Sequence, residues 1–443
     1  MIRAFFVTRA FLAALICLVL TNPALAEVKI EAVTSPGGIK AWLVEEHGIP
    51  FTALEIRFRG GTSLDAPGKR GSVMLMASLL EEGAGDLDAQ GFAEARESLA
   101  TRIGFDADAD TVSISAQFLT ENRDASVELL RSALIDPHFD QTAIDRVRGQ
   151  ILSIIEANAT DPNEIAAKTY DQIAYGDHPY GSSDFGTAET VNALTRDDIL
   201  AAKAASMTQD RLFVSAVGDI TPAELGALLD DLLAGLPQTG ADLPGPVDAA
   251  LTGGTTIVDF DTPQSVVIFG QPGVPLEDPD FFPAYVLNQI IGGQGFTARL
   301  MAEVREKRGL TYGVSSYLAG RDYSDTWQGS LASGNKTAAQ AIKVIRDVWS
   351  DAAQNGVTQA ELDAAKTYLT GSYPLRFDGN DRIAGILVSM QLDGLPIDYL
   401  KNRNPIIEAV TLDDVNRVAR ERLTPDALTF IVVGRPEGLT ASN

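Results

Sequence analysis

Thiols and imidazoles are nearly missing from this chain. Of its 443 residues one is cysteine and three are histidine, which excludes a disulfide framework and a histidine-rich metal site. Basic residues are scarce as well: 35 Lys and Arg stand against 60 Asp and Glu, a net charge of −25. Nucleic acids and anionic membrane surfaces both demand basic patches, so neither is an expected partner. Gly and Pro, at 39 and 21, sit near average usage, which excludes collagen-like and low-complexity chains. What the chain does have is length and apolar content. At 45% hydrophobic it can build real cores, and its length suits two or three domains.

Residues 1–26 read as a signal peptide. Arg3 and Arg9 flank the start of an apolar run at 11–20, and Ala24-Leu25-Ala26 supplies small residues for cleavage before Glu27. The two arginines are not adjacent, so a twin-arginine signal is not indicated. Cys17 follows Ile16 rather than a small residue, which speaks against a lipid anchor. An uncleaved anchor is the alternative, and the shortness of the run speaks against it. No later stretch reaches the roughly 20 apolar residues of a membrane span. The expected product is exported, periplasmic if the source is Gram-negative, and free of cysteine.

Behind the leader the chain repeats itself. Leu194-Thr195-Arg196-Asp197-Asp198 and the run from Leu212 to Gly218 return as Val410-Thr411-Leu412-Asp413-Asp414 and the run from Leu428 to Gly434. Thr195 and Thr411 are 216 positions apart, as are Gly218 and Gly434. Phe139-Asp140-Gln141 through Asp145 returns as Val357-Thr358-Gln359 through Asp363, and the strand at 52–58 with Asp65 returns at 265–271 with Asp278. Two copies of one domain are expected, 27–236 and 255–443. Residues 237–254, rich in Pro, Gly and Ala and without periodicity, read as the linker and hinge between them. In each copy alternating strands such as Leu54 to Phe58 and Val112 to Phe118 interleave with helices without a βαβ period. The expected class is α+β: two homologous α/β sandwiches, each an antiparallel sheet covered by helices.

A helix expected over 70–82 carries Val73, Met76, Ala77 and Leu80 at helical spacing, with Gly83 as its stop. Ser78, Glu81 and Glu82 form one polar stripe along it. Here the chain resembles the insulinase, pitrilysin and mitochondrial processing peptidase family of zinc metallopeptidases, whose signature is H-x-x-E-H on a first-domain helix. This chain reads Ser78-Leu79-Leu80-Glu81-Glu82, so only Glu81 matches, at the general-base position. The family's third zinc ligand is a glutamate on a later helix. That helix is expected over 140–158, with Ile144, Val147, Ile151 and Ile154 on its buried face. Counted back from the family landmark Asp161-Pro162, Ile154 takes the ligand position. Glu156 lies about 200° around the helix from Ile154 and does not substitute for a ligand there. One serine and two carboxylates do not make the nitrogen-and-sulfur tetrahedron that zinc prefers, so no metal is expected in this chain.

Other segments carry the same resemblance. His178-Pro179-Tyr180-Gly181 is similar to a first-domain family segment. Gly292-Gly293-Gln294-Gly295-Phe296-Thr297-Ala298-Arg299-Leu300, then the stretch from Arg305 to Tyr312, resembles the family's glycine loop, helix and G-L-x-Y strand. The likeness spans essentially 28–436. In complete members an arginine and a tyrosine at this spacing reach the zinc site from the opposite half-shell. The resemblance therefore makes Arg305 and Tyr312 candidate site residues: the phenol to donate to an oxyanion, the guanidinium to hold substrate carbonyls. The plainer reading makes Arg305 a solvated helix residue and Tyr312 a strand residue packing its ring.

Asp106, Asp108 and Asp110 mimic a calcium loop, but its sixth position is Thr111 rather than Gly and its twelfth is Gln117 rather than Glu. A strand beginning near Thr111 after a solvated acidic lead-in is the simpler reading. His47 and His138 are assigned no role. Neither a phosphate loop, a nucleophile elbow nor a Cys/His pair points to other chemistry. The resemblance implies a non-catalytic subunit of a heterodimeric exported zinc peptidase. Its partners would be a peptide substrate and a homologous H-x-x-E-H chain that holds the zinc, with no cofactor here. A catalytically dead binding or scaffold protein is the alternative, though a scaffold has no use for Arg305 and Tyr312. An active peptidase with unorthodox ligands is a third reading.

Overall fold

Alternating apolar residues build one sheet in each half of the computed structural model, which describes residues 29–442 except 294 and 296. The signal peptide, and Gln294 and Phe296 of the glycine loop, lie outside the described residues. The first half holds β1 (Glu31–Thr34), β2 (Lys40–Glu45), β3 (Phe51–Arg59), the short pair β4 (Gly83–Ala84) and β5 (Leu87–Asp88), β6 (Arg102–Ala107), β7 (Thr111–Leu119) and β8 (Leu212–Gly218). The second holds β9 (Thr255–Asp259), β10 (Gln264–Pro272), β11 (Val314–Arg321), β12 (Ser324–Gly334) and β13 (Thr429–Gly434).

Strand order is β1-β2-β8-β3-β7-β6 in the first main sheet and β11-β12-β10-β13-β9 in the second. Read from β9, the second order matches β2-β8-β3-β7-β6 strand for strand. Pair types match too: β2 with β8 and β9 with β13 are parallel, and the other neighbours in both sheets are antiparallel. The sequence repeat is thus a repeat of topology. Its local signals are repeated as well. Thr195 and Thr411 each close a capping box, with Asp198 and Asp414, at the start of helices Arg196–Ser206 and Leu412–Arg422. Gly218 and Gly434 end β8 and β13 at φ 142° and 150°, where a Cβ would lie 2.2 Å from Phe51 O and 2.5 Å from Ser265 Oγ. Only glycine fits both positions.

One face of each sheet meets helices in an apolar core, with Leu54, Ile56 and Phe58 in the first and Phe269, Trp327, Trp349 and Phe430 in the second. The buried tryptophans keep their N–H groups satisfied, Trp327 on Asn288 Oδ1 at 2.8 Å and Trp349 on Gln271 Oε1 at 2.9 Å. The other faces are covered by exchange. Helix Pro162–Tyr175 of the first half packs on β10 and β13, and helix Asn380–Leu392 of the second packs on β3 and β8. Tyr170 is buried against Gly270, and Ser215 Oγ donates to Ala384 O at 2.6 Å. Residues 237–254 form neither helix nor strand, but they are not the expected hinge. Val247 N donates to Tyr323 O and Ala250 N to Ala174 O, both at 2.8 Å, and Leu251 is buried, so the segment is strapped to both halves.

Candidate functional site

The helix bearing the altered zinc motif is shorter than its periodicity predicts. It spans Ser72–Leu79, and Glu81 and Glu82 follow it, because Gly83 turns at φ 113° into β4 and its pairing with β5. Ser78 lies within the helix and its hydroxyl donates back to Met74 O at 2.9 Å. Glu81 forms an ion pair with Arg96 on helix Ala89–Ser98, and Glu82 pairs with Arg146 on helix Gln141–Asn158. The Glu82 carboxylate holds the Arg146 guanidinium above its ordinary value. Ile154 is 39% exposed rather than buried; beyond Ile151, Leu152 and Ile155 take the core-facing side of the helix instead. The donor set does not fit zinc. Both carboxylates are matched by guanidiniums, the hydroxyl is used by its own helix and the isoleucine has no donor atom. Among the described residues no three or more His, Cys, Asp or Glu are placed to hold a metal ion.

Arg305 and Tyr312 do come together. Arg305 sits in a π-helical turn, Met301–Glu306, and Tyr312 precedes β11 instead of lying in the expected strand. The Thr311 hydroxyl shapes that turn, donating to Ala332 O at 2.7 Å and accepting from Gly313 N at 3.1 Å. Tyr312 is consequently 87% exposed, and its ring does not pack into the core. Both side chains line a cavity of about 680 Å³ that reaches Asn163 of the first half. Ser78, Glu81, Glu82 and Ile154 do not line it.

A larger cavity, about 1990 Å³, lies between the halves. At one end the tip joining β11 to β12 inserts into the first half. Arg321 lies 4.8 Å from the ring centroid of Tyr180 and 5.4 Å from that of Tyr175, and pairs with Asp171 at 3.8 Å. Asp322 pairs with Arg59 at 3.0 Å, and Tyr323 N donates to the Tyr180 hydroxyl at 3.2 Å. That hydroxyl in turn donates to Asp110. Burial pushes the Asp171 and Asp322 carboxyls up to about 6. The three spaced aspartates resolve here. Asp106 belongs to β6 instead of a solvated lead-in, Asp108 accepts from Asp110 N and Thr111 N to form the turn, and β7 starts at Thr111. This junction was not visible in the sequence, where a charged strand tip looks like any solvated turn. His178 caps the short turn Pro179–Gly181 of its own segment, accepting from Tyr180 N at 3.2 Å.

The profile of the peptidase M16 inactive domain matches residues 193–369. A Helicobacter pylori protein named non-peptidase homolog YmxG is 27% identical over 391 residues, 88% of this chain and 90% of that protein. The crystal structure of the peptidase M16 inactive domain from Pseudomonas fluorescens matches with a TM-score of 0.86 at 27% identity, covering 94% of this chain and 99% of that one. The chain resembles the M16 peptidases. The M16 likeness extends to the beta subunit of mitochondrial processing peptidase from Blastocladiella emersonii, 26% identical over 345 residues, 74% of this chain and 72% of that protein. With its zinc motif altered and both glutamates of that motif in ion pairs, this chain is a non-catalytic, peptidase-like protein. Among the described residues no helix is long and apolar enough to cross a membrane.

Proposed function

We propose that this chain is the non-catalytic subunit of a heterodimeric, exported zinc peptidase. It supplies half of a peptide chamber and lends Arg305 and Tyr312 to a homologous partner whose H-x-x-E-H motif holds the zinc. One observation carries the reading: an exposed phenol and a guanidinium share a cavity in a chain whose own zinc-ligand positions hold Ser78, an arginine-paired Glu82 and Ile154. The Tyr312 hydroxyl is then a donor for the oxyanion of a tetrahedral intermediate, and Arg305 a clamp on substrate carbonyls. The relative named as a subunit of mitochondrial processing peptidase agrees with a shared catalytic assembly.

Tagged mature chain, expressed at native level in its host, tests this. It should recover a similar-sized H-x-x-E-H protein, and the pair should cleave a peptide library that this chain alone leaves intact. Recovery of self-associated chain only would overturn the reading. A binding or scaffold role without peptidase function is the second reading, favoured by the relative named a non-peptidase homolog. It predicts partners without cleavage.

A further inference from the structure

One wall of the large cavity holds a deeply buried arginine, while Arg102, Arg376 and Arg382 line the cavity from exposed positions. Arg57, Arg59 and Arg321 line it and each faces a carboxylate, Glu55, Asp322 and Asp171 respectively. Arg403, on helix Tyr399–Ala409, also lines it, is only 5% exposed, and is held by neutral groups. Its Nη1 donates to Leu369 O and Asn404 Oδ1, and its Nη2 to the Tyr285 hydroxyl, each at 3.2 Å. Its guanidinium carbon lies 4.1 Å from the ring centroid of Tyr373 and 5.6 Å from that of Tyr285. A guanidinium carries five N–H donors; three go to these partners, and the Tyr399 hydroxyl, another neutral group, is also in hydrogen-bond contact with Arg403. A charge withdrawn from water without a counter-ion is costly, and ring faces recover only part of that cost. An incoming anion would supply what the site lacks.

Apolar surface surrounds this cation. Phe281 stacks on Tyr285 with centroids 6.2 Å apart, and both line the same cavity with Tyr373 and Leu395. A ligand here must place a carboxylate and a large apolar group side by side. In a peptide, the terminal residue is the one that carries both on a single α-carbon. We infer that this end of the cavity is a subsite for a peptide C-terminus: the carboxylate meets Arg403, and a large apolar last side chain lies among Tyr285, Tyr373 and Phe281.

The inference rests on the proposed peptide-binding role of this chain, here extended to the large cavity, but it is tested on the full mature chain alone. Fluorescence anisotropy would compare one N-terminally labelled peptide ending in Phe as the free acid, the same peptide as the C-terminal amide, and a free acid ending in Ala. The Phe acid should bind about tenfold or more tightly than its amide, as a charge-assisted hydrogen-bonded pair implies. It should also bind several-fold more tightly than the Ala acid. Arg403→Met, which keeps most of the stem, should remove the acid-over-amide preference while the circular dichroism melt stays cooperative. Equal binding of acid and amide by the wild type, no binding of either, or a folded Arg403→Met that keeps the preference would overturn the subsite. The wild-type comparison stands even if the variant does not fold. Failure to recover a zinc-bearing partner would strike the heterodimer reading and leave this one standing.

Discussion

Glu82 and Arg146 form a partly hydrated pair, with the guanidinium side chain 49% exposed and the carboxylate 16%. Pairs of this kind contribute about 0–1 kcal/mol. Arg146→Ala should therefore lower the unfolding free energy by no more than about 1 kcal/mol, read from a denaturant midpoint. It should not recruit zinc either, because Ser78 and Ile154 still bring no suitable ligand; a zinc-dependent rise in melting temperature would contradict this. Arg305→Ala in the assembled peptidase should chiefly raise KM, since it removes groups that hold substrate in ground and transition states alike. An unchanged KM in steady-state kinetics would remove Arg305 from the substrate path. The departures at Ser78, Glu82 and Ile154 were legible in the sequence, because a motif has fixed spacing. Their consequence was not: Arg96 and Arg146 reach the glutamates across 15 and 64 positions, a pairing that no local pattern encodes.

Among the elements, the two exchanged helices do most to make the halves one body. Helix Pro162–Tyr175 approaches β10 so closely that a Cβ on Gly270 would lie 2.4 Å from the Tyr170 hydroxyl and 3.0 Å from its ring. Gly270→Ala should cost roughly 1–3 kcal/mol by chemical denaturation. Adding Tyr170→Phe, which deletes the nearest atom, should recover part of that loss; additive effects would contradict the contact. Strands and the repeated Thr195/Thr411 and Gly218/Gly434 positions were legible because their signals are local and occur twice, while the capping boxes the threonines close were not read from them. Three boundaries were not. The zinc-motif helix ends at Leu79 because β4 pairs with β5. Ile154 is exposed because Leu152 and Ile155, not Ile154, face the core in the last turns of its helix. Tyr312 stands clear of β11 because Thr311 bonds across to Ala332.

Across the whole molecule, burial of carboxylates at the junction sets a pH dependence. Asp171, whose charged neighbours are Arg321 and Asp184, titrates near 6 folded against an ordinary 3.8. Between those values the folded chain holds the extra proton, so this contribution is full below about 4 and lost as pH rises through 6. The stability difference between wild type and Asp171→Asn should shift by roughly 1 kcal/mol from pH 5 to pH 7, then stay flat to pH 8. A flat difference throughout would mean the carboxyl is hydrated. The strapped linker and exchanged helices tie the two halves together around the cavity, and on the proposed reading the other half of the chamber comes from another chain. The most direct measurement is therefore kcat of the assembled heterodimer carrying Tyr312→Phe, with association checked separately. Loss of one oxyanion donor lowers kcat by roughly 10²–10³-fold, and that is the predicted result. A kcat within about twofold of wild type in an intact complex would contradict the account, leaving Tyr312 a surface residue and this chain a lid.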